Sequence, residues 1–286
     1  MTSRRLLLCT DLDRTLIPNG PHAEHPAARP LFKVFCQLPE VVLVYVTGRH
    51  PALVQQAIRD YALPQPNFAI TDVGTQIYRV TPGPWQPLPG WEEAIADDWQ
   101  GHSHAQLQAW LSPLTELRLQ ETDKQQPFKL SYYLSLDDNK QRVLPEIEDR
   151  LRQLGVKASV IWSIDAQENL GLIDVLPQNA TKFHALQFLQ QTLGYSPHEI
   201  VFAGDSGNDL PVLASAIPSV LVANASREIR QQAQELAAQN KQTQTLYLAT
   251  QNASRLGGNY AAGILQGVWH FAPAFRDRLQ LRKESP

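Results

Sequence analysis

The sequence predicts an α/β architecture, a doubly wound parallel sheet interrupted by a smaller inserted α/β unit. Three observations point to it. Short apolar runs rich in β-branched residues alternate with amphipathic stretches of helix length, the pattern of strands buried on both faces. The middle of the chain departs from it: a Pro- and Gly-dense stretch over 81–90 is followed by strands of alternating polarity, as in a sheet with one exposed face. Length fits two units, because 286 residues exceed the ~100–150 of a typical domain.

The first strand is the apolar run 6–10, and the second is 41–46, followed by the turn Thr47-Gly48-Arg49 and a helix over 51–61 whose Pro51 suits a first helical turn. A third strand over 68–71 precedes Asp72-Val73-Gly74. In the insert, 129–136 alternates as a half-exposed strand, 139–154 is helix-like, and 156–164 and 170–176 are two further strands. The large sheet resumes with strands at 199–203, 220–223 and 245–248 and ends with a helix over 260–271; the Gln-rich stretch 231–244 reads as a helix plus a solvated loop. The expected division is 1–83 and 176–286 for the main unit and 84–175 for the insert.

Hydrophobic residues at 43% and charged residues at 19% exclude a disordered chain. With 25 Lys and Arg against 28 Asp and Glu, no broad positive field attracts nucleic acid or anionic lipid, so any anion must be bound locally. Cys9 and Cys36 are too few for a disulfide framework. Asp11 and Asp13 end the first apolar run well short of a signal-peptide core, and no apolar stretch reaches the length of a membrane span. The expectation is a cytoplasmic protein with neither nucleic-acid nor membrane partners.

Chemistry concentrates at strand ends. Asp11-Leu12-Asp13-Arg14-Thr15 follows the first strand, where the carboxyl ends of an open α/β sheet form the ligand crevice. Two carboxylates there repel unless a hard cation such as Mg2+ joins them; a turn with a helix cap would use the same residue types. Thr47 follows the second strand, where its hydroxyl and the adjacent N–H groups suit a phosphate oxygen, or merely a turn. Lys182, at a helix start, could neutralise phosphate charge or lie in solvent. Gly204-Asp205-Ser206-Gly207-Asn208-Asp209 is more telling, since two acids, two glycines and an amide after a buried strand have no packing rationale. His102 and His104 diverge at i, i+2 on a helix, with no acidic or Cys partner nearby, and read as surface. Trp85, Trp91, Trp99 and Trp110 read as packing residues.

Carboxylate pair, hydroxyl, lysine and acidic loop, in this order, resemble the four motifs of the haloacid dehalogenase superfamily of phosphohydrolases, with a Rossmann-like core. The insert between Thr47 and Lys182 lies where the Cof-like branch carries a substrate-specifying α/β cap. Within that branch the chain is most similar to the sucrose-phosphate phosphatases, on Asp11-Leu12-Asp13, Tyr45 to Arg49, Phe128-Lys129-Leu130-Ser131-Tyr132-Tyr133, the 204–209 loop and Ala261-Ala262-Gly263-Ile264-Leu265. It departs from the pattern at Phe183-His184, in the Gln-rich stretch and after Phe275.

The resemblance implies Asp11 as nucleophile and Asp13 as acid and base. It implies Mg2+ at the Asp11 carboxylate, the Asp13 carbonyl and Asp205, with Asp209 orienting Asp205 or a bound water. Phosphate would be bound by Thr47, Gly48, Lys182 and Asn208, and the sugar read by Lys129, Ser131 and Tyr132, with Arg49 reaching sugar or phosphate. The implied substrate is sucrose 6-phosphate, with a sucrose-phosphate synthase as a possible partner. Mannosylfructose phosphate and glucosylglycerol phosphate are alternatives. So are a phosphomutase-type transferase and a non-catalytic binding domain, although the latter would be expected to lack one of Asp11, Asp13, Lys182 or Asp205.

Overall fold

In the computed structural model, residues 5–165 and 168–284 are described, with side chains as far as 279. The chain divides into two compact units, Met1–Leu88 with Lys182–Pro286, and Pro89–Thr181.

The first unit begins with β1 (Leu6–Thr10), α1 (Ala28–Cys36), β2 (Val41–Val46), α2 (Pro51–Asp60), β3 (Phe68–Thr71), β4 (Gln76–Arg79) and β5 (Gln86–Pro87). The second holds α3 (Trp91–Ala96), α4 (His104–Leu111), β6 (Arg118–Leu119), β7 (Leu130–Ser135), α5 (Lys140–Gln153), β8 (Ala158–Asp165) and β9 (Leu170–Pro177). The first unit then resumes with α6 (Lys182–Leu193), β10 (Ile200–Gly204), α7 (Leu210–Leu213), β11 (Ser219–Leu221), α8 (Arg227–Gln239), β12 (Leu246–Leu248), α9 (Ala261–Phe271) and α10 (Ala274–Glu284).

The unit boundaries fall later than the expected 84 and 175. β5 still pairs with β4 and so belongs to the large sheet, and β9 keeps its pairing with β8 as far as Pro177.

Among the described residues the large sheet has the order β12-β11-β10-β1-β2-β3-β4-β5. It is parallel from β12 to β3 and antiparallel beyond. β1 is central and wholly buried, which explains why it carries no polar residue before Thr10. The chain leaves β1 toward β2 and β3 in one direction and returns to β10, β11 and β12 on the other side. The crevice at the carboxyl ends of β1 and β10 is therefore the topological switch point, where such sheets bind ligands. Helices cover the sheet. In α1, Phe32 and Phe35 are buried, and Phe35 meets the Trp269 ring edge-on at 5.3 Å between centroids.

The second unit is an antiparallel sheet in the order β6-β7-β9-β8. Leu130, Tyr132 and Leu134 point to one face and pack with Leu107 and Leu111 of α4 and Val143 and Ile147 of α5. Trp91 and Trp99 are buried and Trp85 is partly so, whereas Trp110, expected to pack, is 40% exposed and donates Nε1 to the Arg150 carbonyl.

Candidate active site

Asp11 continues β1, its N–H donating to the Ala203 carbonyl of β10. The buried Leu12 anchors the turn that follows, its carbonyl accepting from the N–H groups of Leu16 and Ile17. Asp11 Oδ1 accepts the Leu12 N–H at 2.7 Å, and Oδ2 lies 3.0 Å from Lys182 Nζ. Lys182, in the first turn of α6, has a fully buried side chain, and its ammonium also donates to Asp209 Oδ1 at 2.8 Å. The other oxygen of Asp209 accepts from the N–H groups of Asp205 and Ser206, each at 3.0 Å, and from the Ser206 hydroxyl. Gly204 is required here, because a Cβ would lie 2.5 Å from Asp209 Cγ.

Asp205 accepts the Thr15 hydroxyl at 2.9 Å and lies 3.4 Å from Arg14 Nε. Thr47 is buried at the end of β2. Its loop is strapped by the next turn, with the Asp72 N–H donating to the Arg49 carbonyl and the Val73 N–H to the Thr47 carbonyl. Asp72 and Val73 both have positive φ, 49° and 62°, an uncommon conformation for a β-branched residue. Gly48 is exposed, and the exposed Asn208 accepts the Ser206 hydroxyl.

Asp13 is held differently. Arg49 grips it through both oxygens, Nη2 on Oδ1 at 2.6 Å and Nε on Oδ2 at 2.8 Å, and Asn19 Nδ2 donates to Oδ1 at 2.7 Å. The two acids consequently shift in opposite directions. Burial pushes Asp11 up to about 7, against the pull of Lys182 and with help from the charge of Asp209. Burial also pushes on Asp13, but the Arg49 hydrogen bonds and charge outweigh it and hold that carboxyl below its ordinary value. Asp205 is pushed up to about 6 by burial and then by Asp209. For Lys182, burial works to lower the value and the charges of Asp11 and Asp209 outweigh it, so the ammonium stays protonated.

The donor set fits a hard divalent cation. Asp11, Asp205 and Asp209 each bring a carboxylate oxygen within 4.8 Å of the others. The Lys182 ammonium bonds Asp11 and Asp209 and not Asp205, and a divalent cation is the kind of group that lets clustered carboxylates stay ionised in a buried site. Asp209 already accepts four hydrogen bonds, from the lysine, two backbone N–H groups and the Ser206 hydroxyl, more than either other acid, which suits an orienting part. Asp11 and Asp205 are the side chains that could hold the ion.

Of the expected sugar readers, Ser131 lies on the face of the smaller sheet opposite Tyr132, where its hydroxyl donates to Asp174 Oδ1 at 2.5 Å; Lys129 Nζ lies 3.7 Å from the same oxygen. Tyr132 is packed in the core with 4% exposure, because strand alternation puts it beside Leu130 and Leu134. The three therefore do not share a surface. Asn19, Arg14 and Asp174 enter the polar network without having been singled out in the sequence. Asp174 was the most accessible to inference, as an acid within an otherwise apolar strand.

Three acids and a buried lysine at the switch point of a parallel sheet, with a threonine loop on the neighbouring strand, define a phosphatase of the haloacid dehalogenase class. The sequence narrows this further: the chain belongs to the sucrose-6F-phosphate phosphohydrolase family, whose model matches residues 4–272. A protein of Nitrosococcus oceani described as a HAD-like hydrolase is 46% identical over 98% of this chain and 76% of its own length. Sucrose-phosphatase 1 of Nicotiana tabacum is 29% identical over 94% of this chain, and the chain spans 60% of that relative's length. The solved sucrose-phosphatase of Synechocystis, in complex with sucrose and phosphate, is similar with a TM-score of 0.69 and 26% identity, over 94% of this chain and 98% of that one. A haloacid dehalogenase-like hydrolase of Bacillus subtilis, at 17% identity and a TM-score of 0.67, shares the fold.

Proposed function

We propose that this phosphatase hydrolyses sucrose 6-phosphate to sucrose and phosphate, with Mg2+, through an aspartyl-phosphate on Asp11. The observation that carries the mechanism is the placement of Asp11, buried at the switch point, with one oxygen on the Leu12 N–H and the other 3.0 Å from the Lys182 ammonium.

A phosphate monoester resists attack because an anion must approach an anion, so catalysis needs neutralised charge and an aligned nucleophile. Held by Asp11, the Asp13 carbonyl and Asp205, Mg2+ would supply the charge that lets a carboxylate reach a phosphate dianion. Asp11 attacks phosphorus, the bond from phosphorus to the sugar oxygen breaks, and Asp13 gives its proton to that oxygen. Water then attacks the phosphoryl group and passes its proton to Asp13 as the Asp11–phosphorus bond breaks and phosphate is released. Lys182, Thr47, Gly48 and Asn208 bind the phosphate oxygens. Asp209 holds Lys182 and the Asp205 backbone in place.

The choice of sugar is supported by the family match and by the sucrose and phosphate bound to the Synechocystis relative. On this reading Lys129 and Asp174 read the sugar from the polar face of the smaller sheet, with the buried Ser131 hydroxyl holding Asp174, and a sucrose-phosphate synthase supplies the substrate. A second reading, glucosylglycerol phosphate, draws on the glucosylglycerol-phosphate synthase of Pseudomonas anguilliseptica, 28% identical over 93% of this chain and 31% of that protein.

Phosphate release with Mg2+, compared as kcat/KM across sucrose, glucosylglycerol, mannosylfructose and fructose phosphates, tests the reading. The expected preference for sucrose 6-phosphate over fructose 6-phosphate is on the order of a hundredfold, because a missing ring leaves polar groups unpaired. Equal values for those two esters would sink the disaccharide reading.

A further inference from the structure

The run Ala261-Ala262-Gly263-Ile264-Leu265 carries part of the family likeness but has no part in the chemistry above. Its packing shows what it holds. A Cβ on Gly267 would lie 2.5 Å from Val220 Cβ, and one on Gly263 would strike the Gly258 carbonyl and lie 3.0 Å from Val222 Cγ1. The helix α9 can lie this close to β11 only with no side chain at either position. That approach brings Tyr260, directly ahead of α9, into the interior, where it is fully buried at φ 50° and ψ −131°. Non-glycine residues rarely take that conformation, and they keep it only where their surroundings enforce it.

The Tyr260 N–H donates to Asn224 Oδ1 at 2.9 Å, and its hydroxyl donates to the His22 carbonyl at 3.1 Å. Asn224 Nδ2 donates to the Arg14 carbonyl at 2.6 Å. Arg14, itself at φ 55°, donates its N–H to Asn19 Oδ1 at 2.8 Å, and Asn19 Nδ2 reaches Asp13 Oδ1 at 2.7 Å. A hydrogen-bonded line thus runs from a strained, buried tyrosine to the carboxylate of Asp13, by way of the loop that carries it.

We propose that Asn224 and Tyr260 are positioning residues for the reaction: they fix the loop after β1 so that the Asp13 carboxyl stands where the departing oxygen takes its proton. This rests on the reading of Asp13 as proton donor. As the Asp11–phosphorus bond forms and the bond to the alcohol breaks, a sugar leaves as an alkoxide unless that proton arrives. A nitrophenolate leaves without it. Misplacement of Asp13 is therefore visible as a dependence on the leaving group.

The test uses the full chain with Mg2+ and compares kcat/KM for sucrose 6-phosphate and p-nitrophenyl phosphate, a ratio that ends at phosphoryl transfer and does not read the later water step. Asn224→Ala should lose about ten- to a hundredfold on the sugar ester with KM nearly unchanged, part of the ~10²–10⁴ a general acid supplies. On the aryl ester its value should stay near that of the wild type. Tyr260→Phe should show a smaller loss of the same kind. Asn19→Ala alters an exposed side chain and should show the Asn224 pattern even where a buried substitution disturbs folding. The Asn19→Ala/Asn224→Ala double variant should lose no more than the worse single one, as links of one line do. Equal losses on both esters would assign Asn224 and Asn19 a merely structural role and overturn the proposal. Asp13→Asn separates the two readings. If it discriminates between the esters while Asn224→Ala and Asn19→Ala do not, positioning fails and the proton donor stands; if it lowers both esters equally, the proton-donor reading falls and takes positioning with it.

Discussion

Replacing Lys182 by Met should destabilise the metal-free protein severely at alkaline pH and much less at acid pH. The lysine side chain is 0% exposed and its ammonium bonds two carboxylates, at 3.0 and 2.8 Å. Methionine keeps most of the volume and removes the charge, leaving Asp209 Oδ1 without its donor and three carboxylates within 4.8 Å of one another. Breaking a buried ion pair from one side costs about 3–5 kcal/mol, roughly 6–20 °C in Tm for a chain of this size. The pH dependence follows from the acids. Asp11 and Asp205 sit at about 7 and about 6, above their unfolded values, already in the wild type. A carboxyl raised on folding binds a proton in the folded chain that the unfolded chain has released. Its contribution is therefore present at low pH and is lost as pH rises through the folded value. Without Lys182 both values rise further, so the deficit should be largest at pH ~8 and shrink toward pH ~5.5. Thermal unfolding in chelator across that range measures it, and Lys182→Met/Asp209→Asn should recover at least ~1 kcal/mol of the loss through coupling. A deficit under ~1 kcal/mol at pH ~8, or one independent of pH, would refute the buried charge network as described.

Asp11→Asn should leave Tm unchanged or raised and reduce turnover below about a hundredth of wild type, since it removes the nucleophile's charge with little change of shape; steady-state assay on sucrose 6-phosphate checks it. Gly204→Ala places a methyl 2.5 Å from Asp209 Cγ, so it should cost about 1–3 kcal/mol in urea unfolding and weaken Mg2+ activation by displacing Asp209. Half-saturating Mg2+ should rise at least about tenfold between pH ~7.5 and ~5.5, because ligand carboxyls must lose their protons to bind metal; a flat profile would remove Asp11 and Asp205 as ligands.

The buried parallel strands were legible to within a residue or two, because two-sided burial writes continuous apolar runs such as those of β1 and β2. β4 and β5 were not. Their sequences, Gln-Ile-Tyr-Arg and Gln-Pro, mix polar and apolar residues as sheet edges do, and β5 is two residues long. Thr47 and Lys182, a turn and a solvated lysine when taken alone, gained weight only from the order of the four motifs, whereas Asp11 and Asp205 could be singled out because each follows a buried strand where charge has no packing use. The clasp on Asp13 could not, since Asn19 and Arg49 lie six and 36 residues away and follow no period. Tyr132 is a different case. Leu130 and Leu134 flank it at i−2 and i+2, so strict alternation already assigned it to the core face.

Asp11 and Asp13 are separated by one buried leucine, yet the proposed chemistry gives them opposite tasks. Burial pushes the Asp11 carboxyl up to about 7 against the pull of Lys182, so on the proposed chemistry the ammonium 3.0 Å away and a bound cation are what keep it the attacking anion. Asp13 has a side chain 39% exposed, and its strongest partner is a guanidinium on the neighbouring strand's loop. On the proposed chemistry Asp13 has to deliver a proton, and a carboxylate holding two guanidinium bonds is a poor donor. The Arg49 clasp therefore belongs to the chain before substrate arrives. A phosphate dianion entering beside Thr47 offers the same guanidinium more charge and an equally good bidentate geometry, and Arg49 sits two residues from Thr47. Drawn to the substrate, Arg49 would release Asp13 at the moment its proton is needed, while Asn19 keeps hold of the carboxyl.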